Sequence, residues 1–288
     1  LKVLIIGASG LIGESLVRKF SKKHKVLGVD IEPLDSKILK ADMTDFPAIN
    51  RILSEFRPEV VLVPAAYPNV DGCEENPDAC MSVNVNGPEN AGMTAEALGA
   101  KFIFFSSDYI FDGGAGPYDE DSLPNPISEY GEQKLAVEKF IADSIKEYLI
   151  IRTTVVYGPE TRGKNFAMSL IRRLRRREKV KVPYDQAGTP TYSPDLAEAV
   201  LKLVEKGANG TFNVAGPELT DRLRFAQTIC DVFGLDKGLL VPVKTSELGQ
   251  KAKRPLNAGL RIDKLLSTVE VRMRAPAEAL EELKEMLN

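Results

Sequence analysis

Residues 128–134, SEYGEQK, set a tyrosine and a lysine four positions apart in a chain whose one histidine is His24. On a helix that spacing brings two side chains onto one face. A phenol beside an ammonium can hand a proton to a fresh alkoxide, so no imidazole is needed. Free tyrosine titrates near ~10, and bringing it down by roughly 3 units takes about 4 kcal/mol of preferential phenolate stabilisation. Lys134 held close, with a hydroxyl hydrogen bond, is expected to push Tyr130 that way. The plainer reading of the same helix is packing, with Val137, Phe140 and Ile141 as its core face. Spacing alone does not choose, because about one of the 8 tyrosines should have Lys or Arg four residues on by chance. Tyr148 and Arg152 form such a pair, but on a predicted strand, where four residues span roughly 13 Å.

Position along the chain adds what spacing lacks. FFSSD (104–108) closes an apolar run and brings Ser107 to the end of a predicted strand. The carboxyl edge of a parallel sheet is where such folds bind ligands. The helix of Tyr130 leads into the next strand and so packs beside that end. A serine hydroxyl, a phenol and an ammonium can therefore meet over one cofactor.

The elements that would hold them read as an alternation. KVLIIG (2–7), KVLGVD (25–30), EVVLVPAA (59–66), KFIFFSS (101–107) and YLIIRTTVVYG (148–158) are near-continuous apolar runs. Such runs suit strands covered on both faces. Helical patterns lie between them at 11–22, 45–56, 77–98 and 129–146, which predicts right-handed βαβ units. Past Gly158 come helical patterns at 164–178, 194–206, 221–233 and 276–287, a turn-rich 182–195, and one more strand at 210–216, with 217–288 otherwise mixed. The expected architecture is α/β, a Rossmann-type doubly wound parallel sheet with a smaller mixed lobe. Residues 1–157 and 193–216 are assigned to the sheet domain, and 158–192 and 217–288 to the lobe.

GASGLIG (7–13) joins the first strand to the first helix with glycines at 7, 10 and 13. A pyrophosphate site needs a tight turn, close backbone approach and free helix amides, which this placement supplies. A bare strand–helix turn would also use glycine. Asp30 ends the second strand, where a carboxylate binds both adenosine ribose hydroxyls and repels a 2′-phosphate. With Glu32 nearby, NAD(H) is favoured and NADP(H) remains open.

Composition sets the bounds. Hydrophobic residues at 43%, charged residues at 27% and a net charge of −3 describe a globular chain and argue against a nucleic-acid binder. The basic run RRLRRREK (172–179) is read as a solvated helix face. No apolar stretch reaches membrane-spanning length, and no basic leader precedes the first strand, so a cytoplasmic location is expected. Cys73, Cys80 and Cys230 are expected as reduced thiols. No carboxylate cluster reads as a metal cage.

Taken together, GASGLIG, AAY (65–67), SSDYIFDG (106–113) and YGEQK (130–134) resemble the extended short-chain dehydrogenase/reductase superfamily. DYIFDG, GKNFAMSLIRRLR (163–175), DQAGTPTYSPDLA (185–197) and RPLNAGL (254–260) narrow the likeness to the dTDP-4-dehydrorhamnose reductase family, over nearly the whole chain. The resemblance implies reduction of a 4-keto nucleotide sugar, dTDP-4-dehydro-L-rhamnose above all, by an oxidoreductase of dTDP-rhamnose biosynthesis that forms a homodimer. It implies Tyr130 as proton donor, Lys134 as its partner on the cofactor ribose, and Ser107 as the hydroxyl on the substrate carbonyl. Cofactor contacts are implied for Gly7, Ser9, Gly10, Leu11, Ile12, Gly13, Asp30, Asp42, Met43, Ala65, Ala66, Tyr67 and Asn84. Substrate contacts are implied for Val70, Asp108, Tyr109 and Asn165.

Three departures fall on the substrate side. Val155 stands where the family has tryptophan, Pro68 where it has threonine, and Ala258 where it often has serine. They bear on which sugar is bound, not on the reaction type. Two other functions stay open. One is an epimerase or dehydratase on the same scaffold, for which Asp108 and Glu129 could supply acid. The other is a non-catalytic regulator resembling the regulatory subunit of methionine adenosyltransferase.

Overall fold

The computed structural model describes residues 1–287. Its strands are β1 (Lys2–Ile6), β2 (Lys25–Asp30), β3 (Ile38–Lys40), β4 (Val60–Val63), β5 (Lys101–Ser107), β6 (Tyr148–Thr153), β7 (Val156–Tyr157), β8 (Val180–Pro183), β9 (Ala187–Gly188), β10 (Thr191–Tyr192), β11 (Gly210–Asn213), β12 (Thr220–Asp221) and β13 (Leu240–Val243). The α-helices are α1 (Leu11–Phe20), α2 (Phe46–Phe56), α3 (Val70–Glu75), α4 (Pro77–Met81), α5 (Gly87–Ala97), α6 (Glu129–Ser144), α7 (Phe166–Arg175), α8 (Ser193–Lys206), α9 (Arg222–Phe233), α10 (Asp263–Thr268) and α11 (Pro276–Leu287).

Seven strands form one sheet in the order β11-β6-β5-β4-β1-β2-β3, and every pairing is parallel. This is the doubly wound α/β architecture read from the alternation of apolar runs and helices. The reason lies in the strands' two faces. Val3, Ile5, Leu62, Ile103, Phe105 and Ile151 pack with Leu16 and Phe20 of α1 and the apolar side of α8. Leu4, Ile6, Val61, Val63, Phe102 and Phe104 pack with α2, α5 and α6 on the opposite face. Alternate residues thus serve different layers, and all are apolar because neither face meets water.

The chain's winding reverses between β1 and β4, the neighbours at the centre of the sheet. Crevices at such reversals are the ligand sites of open α/β sheets. Outside the main sheet lie three two-stranded pairs, β10–β7, β12–β9 and β13–β8. They accompany a third core in which Leu170, Ile171, Val182, Phe225, Ile229 and Leu283 are buried together.

The structure corrects several expectations. The helix read as 77–98 is divided: α4 is followed by a π turn at Ser82–Asn86 and then α5. Gly87 sits at that junction against Met43, whose Cγ lies 2.8 Å from where a β-carbon would be. The short edge strand β3 and the one-and-a-half-turn α3 were not legible as periodic segments. The run 148–158 breaks at Thr154–Val155, where Val155 adopts a left-handed φ of 45°. Cys73 and Cys80 are joined as a disulfide rather than reduced. Asn76 ends α3 and caps α4 through Ala79 N–H, turning the chain so that the two cysteine Cα atoms lie 5.4 Å apart. Cys230 is free and buried.

Candidate active site

The glycine turn divides its labour. Gly7 has φ 96°, and a β-carbon there would meet Ala65 N at 2.6 Å, so the turn after β1 lies directly on the loop after β4. At Gly13 a β-carbon would meet the Gly7 carbonyl at 2.0 Å, so this glycine lets α1 approach β1. Gly10 differs: its φ is −86°, and a β-carbon would find only the Gly7 carbonyl at 3.5 Å. The protein itself does not need a glycine at position 10. What a side chain would obstruct there is something arriving from outside. Gly10 caps α1 without a side-chain hydrogen bond, which leaves first-turn amides pointed at the same space.

Asp30 is buried, with Oδ2 accepting from Ser9 N at 2.9 Å and Oδ1 from Glu32 N at 2.9 Å. Its carboxylate is thereby fixed beside the glycine turn. Asp42 accepts from both the amide and hydroxyl of Thr44, and Met43 is buried on Gly87. Asn84 is fully buried: its Oδ1 accepts from Tyr67 N at 2.8 Å, and its Nδ2 donates to Gln133 Oε1 at 3.1 Å. It ties the loop of Ala65, Ala66 and Tyr67 to helix α6. These residues fit a dinucleotide: an open cradle at Gly10, uncapped amides and a pre-set carboxylate.

Ser128 caps α6, its Oγ accepting from Gly131 N at 3.3 Å. Gly131 lies on the carbonyl of Tyr109, only 2.2 Å from where a β-carbon would be, which seats the turn after β5 on the first turn of α6. Tyr109 and Tyr130 meet edge-on with ring centroids 5.7 Å apart. Lys134 is buried, donates from Nζ to the Phe105 carbonyl at 2.9 Å, and lies 5.7 Å from the centre of the Tyr130 ring. The predicted trio of Ser107, Tyr130 and Lys134 is therefore gathered at the carboxyl end of β5. Below it, Glu138 of α6 receives the Arg152 guanidinium of β6, with both groups buried and contacts at 2.7–3.2 Å.

Electrostatics here run against the expectation for the phenol. Burial, then Tyr109 and Asp108, hold Tyr130 well above the ordinary tyrosine range. Burial lowers Lys134 to about 8, with Glu138 opposing. Both shifts have the same leading cause: each charged form loses water. Asp108 is likewise pushed up to about 6 by burial, against hydrogen bonds from Thr154 and Ser107.

Beyond the trio, Asp108, Tyr109, Val155, Gln186, Arg222 and Phe225 line a small cleft. Arg222 stacks over Phe166 at 5.3 Å, and Arg254 lies 5.8 Å from the Tyr109 ring while donating to Asp71 Oδ1 at 2.9 Å. Thr154 and Arg222 have no motif to announce them, and Gln186 lies inside DQAGTPTYSPDLA without a role read for it. Arg222 opens α9 after its cap Asp221, a context that speaks of helix entry rather than ligand. Val70 begins α3, one residue before the Asp71 that holds Arg254. Asn165 caps α7 through Met168 N, and its Nδ2 donates to Gly158 O and Glu160, so both amide hydrogens serve the loop. That loop crosses to the cradle: Thr161 donates to Glu14, and Arg162 donates to the Glu32 carbonyl at 2.5 Å.

A larger concavity, about 900 Å³, lies elsewhere between α1, α8 and residues 270–286. Much of its charge is already paired, Lys19 with Glu198, Arg272 with Glu278, and Arg274 with both Asp195 and Glu282.

A family model described as the RmlD substrate binding domain matches residues 1–288. The chain is 32% identical to the spore coat polysaccharide biosynthesis protein SpsK of Bacillus subtilis, over 98% of this chain and 96% of that one. It is 31% identical to methionine adenosyltransferase 2 subunit beta of Bos taurus, over 96% of this chain and 84% of that one. A solved dTDP-4-dehydrorhamnose reductase from Clostridium acetobutylicum superposes with TM-score 0.91 at 35% identity, covering 100% and 99% of the two chains. One from Bacillus anthracis, in complex with NADP, gives 0.89 at 31% identity, covering 99% of both.

Proposed function

The chain belongs to the RmlD substrate-binding-domain family, and from that premise we propose that it reduces a 4-keto nucleotide sugar at the expense of a nicotinamide cofactor. The sugar to test first is dTDP-4-dehydro-L-rhamnose. The observation that carries this reading is the gathering of Ser107, Tyr130 and Lys134 at the end of β5, beside the open glycine cradle.

When bound, the cofactor supplies the hydride; the rest falls to side chains. Gly7, Ser9, Gly10, Leu11, Ile12 and Gly13 hold the pyrophosphate against α1, Asp30 takes the adenosine ribose, and Asp42 and Met43 border the adenine. Ala65, Ala66, Tyr67 and Asn84 border the other end. Ser107 orients the substrate carbonyl and Tyr130 delivers the proton. Its high pKa suits that role, because a donor must be protonated at neutral pH and an alkoxide is a stronger base than phenolate. Lys134 holds the cofactor ribose. The Arg222 and Arg254 guanidiniums suit the substrate's diphosphate, with Val70, Asp108 and Tyr109 around the sugar. Asn165 acts through the 158–165 loop. In this reading 1–157 and 193–216 bind cofactor, 158–192 and 217–288 bind substrate, and the chain works as a cytoplasmic homodimer. Asp30 favours NAD(H); the NADP held by the Bacillus anthracis relative keeps both in the test.

The test is stoichiometric loss of NADH or NADPH with a panel of dTDP- and UDP-keto-sugars. Tyr130→Phe should cost about 10²–10⁴-fold in turnover while NADH still binds. Turnover without net NADH loss would instead identify an epimerase or dehydratase. The likeness to methionine adenosyltransferase subunit beta favours one further reading, a regulator, for which no keto-sugar is reduced and a synthetase co-purifies.

A further inference from the structure

The Ser107 hydroxyl has one hydrogen and two lone pairs. One lone pair accepts the backbone N–H of Tyr109 at 3.3 Å. Its other neighbour is Asp108 Oδ1, 2.9 Å away. The second carboxyl oxygen, Oδ2, accepts from Thr154 Oγ1 at 2.6 Å, and Asp108 as a whole is buried.

This set can be satisfied in two ways. A charged Asp108 only accepts, so the single Ser107 hydrogen goes to Oδ1 and nothing remains for a ketone oxygen. A neutral Asp108 that keeps Oδ2 for the Thr154 hydrogen carries its proton on Oδ1. That proton fills the second lone pair of Ser107, and the serine hydrogen is released toward the cleft. We infer that Asp108 is a positioning residue whose neutral form aims the Ser107 hydroxyl at the substrate carbonyl and whose charged form withdraws it. This rests on the reductase reading. The Asp108 proton comes from solvent and is not consumed in turnover, so the reaction's own proton balance is unchanged.

The groups around Asp108 set the balance between its two forms. Arg222 of α9 favours the charged form, as do the hydrogen bonds from Thr154 and Ser107, while burial favours the neutral one and prevails. Tyr109 and Tyr130 face it as neutral phenols, both held above the ordinary tyrosine range. Arg254, behind Tyr109, is paired to Asp71.

The experiment compares pH profiles of keto-sugar reduction for the wild type, Asp108→Asn, Ser107→Ala and the double variant. Asparagine offers N–H to Ser107 and oxygen to Thr154, fixing the serine hydrogen outward at every pH. Wild-type kcat/KM should fall as pH rises through the Asp108 titration, approaching about tenfold per unit. Asp108→Asn should lack that fall, whatever the level of its own plateau. The difference between Asp and Asn should vanish once Ser107 is alanine. A parallel profile for Asp108→Asn, or a difference that persists without Ser107, overturns the inference; a merely structural role lowers the rate equally at all pH. If the wild type reduces no keto-sugar, the functional reading fails, and infrared spectroscopy decides the inference separately. It should show a protonated Asp108 carboxyl below its titration point, absent in Asp108→Asn and shifted in Ser107→Ala. No shift on removing Ser107 overturns it, and this readout also serves if Asp108→Asn does not fold.

Discussion

The Lys134 ammonium donates to the Phe105 carbonyl at 2.9 Å, two residues before Ser107 on the same strand. One hydrogen bond thus registers the helix that carries Tyr130 against the strand that carries the serine. It does so with a charge in a dry place, 4.6 Å from the Phe104 ring.

That charge makes a stability prediction. In the folded chain Lys134 is lowered to about 8 from 10.5, so between those values the unfolded chain binds more protons. Stability from this group therefore rises with pH across that window and is at its minimum below it. At neutral pH the buried charge costs up to about 3 kcal/mol, less what the hydrogen bond returns. Lys134→Met should abolish turnover yet unfold at a higher temperature at pH 7. Melting curves should show that advantage shrinking as pH approaches 10. An advantage that grows with pH would mean the ammonium is not destabilised.

Gly10 and Gly13 separate binding from folding. Position 13 has no room for a methyl group and position 10 has nothing to collide with. Gly10→Ala should keep wild-type stability within about 0.5 kcal/mol while weakening NADH at least tenfold. Gly13→Ala should destabilise the chain by about 1–3 kcal/mol through overpacking. Urea titration and fluorescence binding read both; equal losses of stability would show that the turn is purely structural.

The Glu138–Arg152 pair is 6% and 7% exposed at its side chains and binds α6 to β6 beneath the site. Arg152 also donates to the Glu120 carbonyl at 3.0 Å. Glu138→Gln should cost about 3–5 kcal/mol, because it strands a buried guanidinium. Replacing both residues with apolar ones should cost less than the sum of the single changes. Additive costs in a double-mutant cycle would show that the two groups do not depend on each other.

How far the sequence reached follows from what kind of signal each part leaves. Strands buried on both faces write themselves as apolar runs, so six of the seven sheet strands were legible, while β3, three residues at an edge, left no run to read. The glycine turn and the Tyr130–Lys134 spacing were legible because each needs a fixed residue at a fixed offset. The direction of the Tyr130 shift was not, since proximity to lysine can be read from spacing but loss of water cannot. Thr154 reaches Asp108 from beside a left-handed turn at Val155, and Arg222 reaches the cleft from the start of a distant helix, neither of which has a local pattern. The cysteine pair was missed because the Asn76–Pro77 turn folds seven residues into a short span.

Arg222 and Arg254 carry the last prediction, which concerns the substrate rather than the cofactor. Arg254 is already neutralised by Asp71 at 2.9 Å and stacks on Tyr109, so its guanidinium also braces the loop. Arg222 is held by the ring of Phe166 instead of a carboxylate, and burial lowers its pKa while Tyr109 and Asp108 pull it back. A diphosphate is the ligand that would satisfy it. Arg222→Met keeps the stack on Phe166 and removes the charge. It should raise the KM for the keto nucleotide sugar about 10–100-fold, the worth of one charged hydrogen bond, with kcat little changed and NADH affinity untouched. Arg254→Met should raise the same KM but also lower stability, since it leaves Asp71 only the Ala252 amide and no cation. If Arg222→Met lowers kcat and leaves KM alone, the guanidinium acts on the reacting end of the sugar and the diphosphate lies elsewhere.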